Sequence, residues 1–293
     1  MSTGTISNLM LRLQPNLRQR HGRRITIAAG IAGGIILIYV ALAIFGGWLA
    51  PFSPTDFNMS VALKPPSWMH PFGTDGFGRD VLSRVLFGAR SILLLSTAAT
   101  VLGVTTGSAI GLTSGYSGGI LDEIIMRFVD IVLAMPGLLL ALLILTTLGS
   151  SPRNLVTAIA VVFAPKSARV ARSAVLPLRR LGYVEAARMR GTGWPAIVFR
   201  ELLPNVRGEI SVEFCLRFAY ALLLISSLGF LGFGVQPPTP DWGLMISESR
   251  SFVTIAPWIV LFPALAIGII VVAVNLLADQ LGGKSTKRVD RYV

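Results

Sequence analysis

The chain has 293 residues, 53% of them hydrophobic and only 14% charged, with a mean hydropathy of +0.70 and a net charge of +12. Soluble domains carry about 25% charged residues, so an ordinary water-solvated globule is excluded. One cysteine, Cys215, excludes an internal disulfide framework, and two histidines, His21 and His70, exclude a histidine-rich metal centre.

A basic tail, residues 1–24, precedes the first uncharged run, Ile25–Ala50. That run is too long for the apolar core of a cleaved signal and predicts a retained transmembrane helix. Residues 51–90 then read as a long external loop. His70, Asp75 and Ser83 in this loop have the residue types of a hydrolase. No nucleophile elbow accompanies them, and His70 is expected to be structural.

The second run, Ser91–Leu121, carries Gly103, Gly107, Gly111 and Gly115 four apart on one helical face. In lipid no hydrophobic drive joins helices, and small residues promote packing by letting backbones approach. This face is expected to contact a helix of the same or a partner chain. Gly115–Glu123 reads as a short internal turn. The third run, Ile131–Pro152, contains Pro136, an expected kink, and follows Arg127 and Asp130, whose spacing places them on one face as a local ion pair.

The next segment is weaker. Asn154–Pro165 gives only 12 uncharged residues before Lys166, Arg169 and Arg172. It predicts a helix that crosses and continues into the cytoplasm with its basic residues snorkelling, a re-entrant segment being the alternative. Residues 174–208 form the largest internal loop. Phe218–Pro240 and Ser251–Ala278 supply two further spans, joined by a shorter external loop, 236–250. Glu213 and Arg217 stand in the favourable i, i+4 order, and Pro257 and Pro263 are further kink positions. Gly282–Thr286 imitates the end of a phosphate loop, but Ala278 replaces its first glycine, and no nucleotide site is expected. Residues 283–293 close the chain as a second basic tail.

The fold expectation is therefore all-α, a polytopic membrane protein with about six transmembrane helices and a permease domain over 25–282. The basic residues set its orientation. Eighteen of the 26 Lys and Arg fall on the side shared by the two tails and the 166–207 segment, and six on the other. The positive-inside rule places both termini in the cytoplasm. Topology thus accounts for the charge, and no nucleic-acid partner is expected.

The internal loop contains Tyr183-Val-Glu185-Ala186-Ala187, Gly191, Trp194-Pro195 and Glu201-Leu-Leu203-Pro204. Its physical reading is a helix over Glu185–Arg190 capped by Gly191, then a second helix opened by Pro195 and stopped by Pro204. Ala186 and Ala187 would let this knob lie close against a partner, and Glu185 and nearby arginines would pair with its charges.

The pattern resembles the EAA signature of ABC importer permeases, through Glu185, Ala186, Ala187, Gly191, Leu203 and Pro204; Glu201 stands where that pattern is usually aliphatic. His70–Arg84, Asp122–Gly137 and Gly232–Gly243 are similar to the dipeptide/oligopeptide/nickel permease branch, specifically its C-type subunit. The resemblance implies a type I permease fold importing di- or oligopeptides, with nickel or another small solute as the alternative. It implies no catalytic residue and no cofactor in this chain, because ATP and Mg would be bound by two partner ATPases. A homologous B-type permease and an extracytoplasmic solute-binding protein would complete the system in a bacterial inner membrane. No substrate-binding residue is identified. A passive channel or secondary transporter is the competing class, which would show an inverted repeat; none is evident.

Overall fold

The computed structural model describes residues 29–289, with side chains through Gly282; the tail 1–24 and the side chains of 283–293 lie outside the described residues. Among the described residues nine helices of eight residues or more follow in order: α1 Ala29–Leu49, α2 Val81–Ser117, α3 Gly119–Leu133, α4 Gly137–Leu148, α5 Pro152–Leu178, α6 Gly182–Met189, α7 Trp194–Phe230, α8 Trp242–Ser249 and α9 Trp258–Val289. Among the described residues the only β pairing is a single bridge, Thr74 with Asp80.

Helices α1, α2, α5, α7 and α9 are each long and apolar enough to cross a membrane, and α3 with α4 passes the same test as a pair bent by 85°, which brings the number to six if the pair counts as one span. The bend sits at Pro136, which has an extended ψ of 125° and caps α4. Its ring removes a backbone donor and disfavours helical geometry in the preceding residue. The broken pair still tracks α5 from end to end. Asp122 meets Arg172 at 2.6 Å, Asp130 meets Arg169 at 2.6 Å, and Asn154 Nδ2 donates to Leu148 O at 2.7 Å.

The short segment at 154–165 belongs, as expected, to a helix that continues past Lys166, Arg169 and Arg172, and the third run is broken at its expected kink, Pro136. The expected Arg127–Asp130 pair does not form. Arg127 reaches Glu123 at 3.5 Å, and Asp130 is taken by Arg169, because α3 lies against α5 and the cross-helix partner is nearer. Arg169 and Arg172 thus face α3 rather than snorkelling freely. The Glu213–Arg217 pair forms as expected, at 2.8 Å.

The closest helix pair is α2 with α5. A Cβ placed on Gly107 would lie 2.9 Å from Ala164 Cα, and one on Gly111 2.9 Å from Ala168 Cα, each overlapping that alanine's carbonyl oxygen. Gly103 and Gly115 meet the Ala160 and Arg172 backbones at 3.2 and 3.3 Å by the same measure. Four glycines thus seat four consecutive contact points of α5, within one chain, at a separation that a side chain on Gly107 or Gly111 would forbid and one on Gly103 or Gly115 would strain.

The main core joins α2, α5, α7 and α9 with α8, around Phe163, Ile92, Leu222, Ile225 and Trp242. Trp242 is buried and donates Nε1–H to Val85 O at 2.9 Å, filling the gap left by Gly88. Helix α1 joins the edge of this core through Tyr39, with Ile35, Ile36 and Ala43 beside it, and its buried positions Ala32, Tyr39 and Gly46 recur seven residues apart. Tyr39 donates its hydroxyl proton to Ala266 O of α9 at 2.8 Å.

Two loop boundaries change. The expected external loop 51–90 ends at Asp80, whose carboxylate accepts from Ser83 N–H and caps α2. The expected 174–208 loop is almost wholly helical, as α5 continues to Leu178 and α7 starts at Trp194.

Candidate functional site: a capped elbow at one end of the bundle

The elbow is built from the end of α5, all of α6 and the first turns of α7. Leu181 has an extended backbone and turns the chain into α6. Only Val184 and Ala187 of α6 are buried, both at 0% exposure; three residues apart, they share one face. They pack on Leu112 of α2, Ala171 and Val175 of α5, and Ile197, Val198, Leu202 and Val206 of α7.

Gly191 ends α6 as the spacing predicts. Its φ is +74°, its N–H donates to Arg188 O at 2.9 Å, and the Thr192 N–H donates to Ala187 O at 3.1 Å. This is the Schellman arrangement, and the left-handed residue within it favours glycine. Trp194-Pro195 then opens α7, with the proline in the first turn where its missing donor costs nothing.

Pro204 does not stop the second helix, contrary to the sequence expectation. Residues Ile197–Leu202 adopt a π-turn, and Leu203 N–H donates five residues back to Val198 O. The widened turn precedes the residue that cannot donate, and α7 resumes at Leu203 and runs unbroken to Phe230. Leu203 is half-buried against the elbow core, and Pro204 is exposed.

The alanine pair divides. Ala187 faces inward and is not available to a partner, whereas Glu185 and Ala186 are exposed. Around them lie exposed Met189, at 90%, and Trp194, at 55%. The projecting surface is thus one carboxylate and a small-residue step flanked by large apolar groups, a composition suited to a protein contact.

The elbow is also pinned to the spans. Arg188 donates Nε–H to the Tyr116 hydroxyl at 3.2 Å, with its guanidinium 4.8 Å from the ring centroid. Arg179 donates to Gly115 O at 2.8 Å. Arg172 forks onto Asp122 with two 2.6 Å bonds, and Ser114 donates to the same carboxylate. Burial and then Glu201 push the Tyr183 hydroxyl above its ordinary pKa, so it stays neutral. Force applied to α6 therefore reaches α2, α5 and α7 through packed side chains and charge-assisted bonds.

The opposite end holds a second polar cluster with a structural role. His70 Nδ1 lies 2.9 Å from Asp80 Oδ1, and Ser83 donates its hydroxyl proton to Asp80 Oδ2 at 2.8 Å. Asp75 instead binds Arg79 at 2.7 Å and Arg84 at 3.4 Å. His70, Asp75 and Ser83 therefore do not form a nucleophile–base chain. Both arginines reach Glu248 of α8, at 2.8 and 3.2 Å, clamping the 50–80 segment to α8. Among the described residues, no group of three His, Cys, Asp or Glu side chains is placed to hold a metal.

Missed by the sequence reading is a groove lined by Leu133, Lys166, Arg169, Val170, Ser173 and Arg217, about 590 Å3 in volume. Its signal was Lys166 and Arg169 directly after an apolar run, which were assigned to the membrane edge, whereas its third cation, Arg217, was read only as the partner of Glu213.

Six spans with a braced helical elbow at one end define a multi-pass membrane permease. The chain belongs to the family of binding-protein-dependent transport system inner membrane components, whose model matches residues 107–291. The N-terminal transmembrane domain of oligopeptide transport permease C matches residues 28–66. Similar proteins include the di/tripeptide transport system permease DppC of Pseudomonas aeruginosa, 40% identical over 86% of this chain and 86% of the relative. The dipeptide permease DppC of Haemophilus influenzae is 39% identical over 84% and 85%, and the glutathione permease GsiD of Pectobacterium atrosepticum 38% over 88% and 85%. The resemblance to ABC importer permeases holds, and with it the reading of the chain as one subunit of a bacterial transport system.

Proposed function

We propose that this chain is the C-type permease subunit of an ATP-driven importer of di- and oligopeptides. Both termini and the elbow would face the cytoplasm and the Glu248 clamp the outside, as the distribution of basic residues favours. ATP and Mg would be bound and hydrolysed by two partner ATPases. A homologous B-type permease would complete the pathway, and an extracytoplasmic binding protein would deliver the solute. Relatives named for di/tripeptide, dipeptide and glutathione transport favour a short peptide over nickel.

The observation that carries the coupling role is the elbow: Glu185 and Ala186 project beside Met189 and Trp194 on a helix bolted to three spans. A partner gripping that surface and closing on ATP biases a two-state bundle between its inward- and outward-open forms. Gly191, Leu203 and Pro204 shape the grip, and Ala187 supports it from within.

The test is reconstitution of the chain with its neighbouring permease, ATPases and binding protein in proteoliposomes. ATP-dependent uptake of labelled dipeptide is expected, with no uptake when the ATPases are left out. Flux of equal rate without them would establish the channel or secondary-transporter reading. Nickel uptake in place of peptide would establish the alternative cargo. Labelling of single cysteines at 183–205 from the outside would overturn the orientation.

A further inference from the structure

The groove between α3, α5 and α7 is a strongly charged hollow that the coupling role leaves unused. Lys166 lies 14 residues from the start of α5 and 12 from its end, so it sits roughly 20 Å from either end of the helix at 1.5 Å per residue. Arg217 lies 13 residues before the end of α7, again roughly 20 Å in. Both cations are therefore well inside helices that pass for membrane spans. Charged side chains on spanning helices face a protein interior or a water-filled cavity, and they persist where function needs them.

The charges of the groove do not balance. Arg169 is answered by Asp130 at 2.6 Å and Arg217 by Glu213 at 2.8 Å, which also accepts from Ser167 at 3.0 Å. Among the described residues Lys166 forms no ion pair of its own; Glu213, the acid whose charge acts on it, is already held by Arg217 and Ser167. The Lys166 ammonium lies 5.0 Å from the centroid of the Tyr220 ring, a contact that orients a cation without neutralising it. Three cations, two acids and an open volume of about 590 Å3 leave a site short of one negative charge. A cation held at depth gains most from an anion that can complete its ion pair, because the surroundings screen poorly.

We propose that this groove, with Lys166 at its centre, binds the carboxylate of the transported peptide on its way through the bundle. The inference rests on the peptide-importer reading and adds a contact point to it. Arg169 offers its remaining N–H groups on the same wall, and Ser173, whose hydroxyl proton goes to Val170 O, lines it, while Leu133 and Val170 give apolar surface for a side chain. Such a site needs only modest affinity, since a solute must leave as readily as it enters.

The test is chemical rescue in the complete transporter, carrying Cys215→Ser to remove the native thiol. Lys166→Cys is expected to lower ATP-dependent uptake of a free-acid dipeptide at least tenfold, with subunit assembly unchanged. Aminoethylation of the new thiol, which restores a cation of lysine-like length, is expected to restore uptake; neutral methylthiolation is not. Free-acid dipeptide is expected to slow modification of the thiol, and the same dipeptide as its amide is not. Uptake at the unsubstituted rate in Lys166→Cys, or equal rescue by the neutral reagent, would overturn the proposal. Sensitivity seen only in vesicles containing phosphatidylglycerol, and indifferent to the peptide carboxylate, would overturn it in favour of a lipid headgroup. If the unsubstituted transporter moves no peptide at all, the peptide reading fails and this inference with it, an outcome visible before any Lys166 variant is made.

Discussion

Gly111→Ala is the sharpest probe of how α2 and α5 are held together. The new methyl carbon would stand 2.9 Å from Ala168 Cα and overlap the Ala168 carbonyl oxygen, where an ordinary contact needs about 3.4–4 Å. Backbone cannot swing aside as a side chain does, so α5 must retreat by at least half an ångström along the seam. Overpacking of this kind costs about 1–3 kcal/mol, or roughly a 5- to 150-fold loss in the folded population. Gly268→Ala provides the control, because a Cβ there meets nothing within 4 Å; comparing the two cancels the intrinsic difference between glycine and alanine in a helix. The chain would be unfolded by denaturant titration in bicelles and followed by tryptophan fluorescence. Gly111→Ala is expected to lose stability relative to Gly268→Ala by that margin, and Gly107→Ala to match it. Gly115→Ala, whose nearest backbone atom is 3.2 Å away, should lose less. Equal midpoints for Gly111→Ala and Gly268→Ala would refute the close-approach argument.

Other perturbations separate the remaining parts. Glu185→Arg should leave membrane insertion and yield unchanged while ATPase co-purification and uptake both fall about tenfold; normal co-purification would count against the elbow as the docking surface. Glu248→Gln leaves Arg79 and the almost fully buried Arg84 sharing Asp75 alone, and should lower stability by about 1–3 kcal/mol given the partial exposure of Glu248; a wild-type melting curve would show that the clamp is idle. Burial pushes the Asp241 carboxyl up to about 6 from 3.8, against amide hydrogen bonds from Leu244 and Gly243. Because the folded pKa is raised, the folded state binds more protons, and stability falls as pH rises between about 4 and 6, by at most about 3 kcal/mol. Asp241→Asn keeps an oxygen for the helix cap and should flatten that dependence, so an unchanged slope of melting temperature against pH would dismiss the carboxyl as its source.

The legible parts of this protein were those governed by local chemistry. Uncharged runs announce spans because the bilayer demands them. Gly191 announces a helix cap because its backbone conformation favours glycine. The glycine face of α2 announced close packing, although not which helix would fill it. Other features depend on what lies alongside. Asp130 pairs with Arg169 rather than Arg127 because α3 rests on α5, and no spacing within α3 reveals that. Pro204 reads as a stop in isolation, yet the π-turn before it removes the need for its missing donor. Lys166 was read as snorkelling because three basic residues follow a short apolar run, and the groove that it lines with Leu133 and Arg217 emerges only once α3 and α7 are seen against α5. Ala187 was read as a partner contact because small residues permit approach, and the approach it permits is that of its own chain.

The seam between α2 and α5 has a mechanical corollary. Contact points four residues apart recur about every 6 Å along the axis, like teeth on a rack, with no long side chains between them to re-sort. Small slips are blocked, so the two helices travel as one oar whose handle is the elbow. Whatever opens and shuts the passage must then flex elsewhere, at the Pro136 bend, the π-turn of α7 or the looser joint with α1, and those are the places to look for motion.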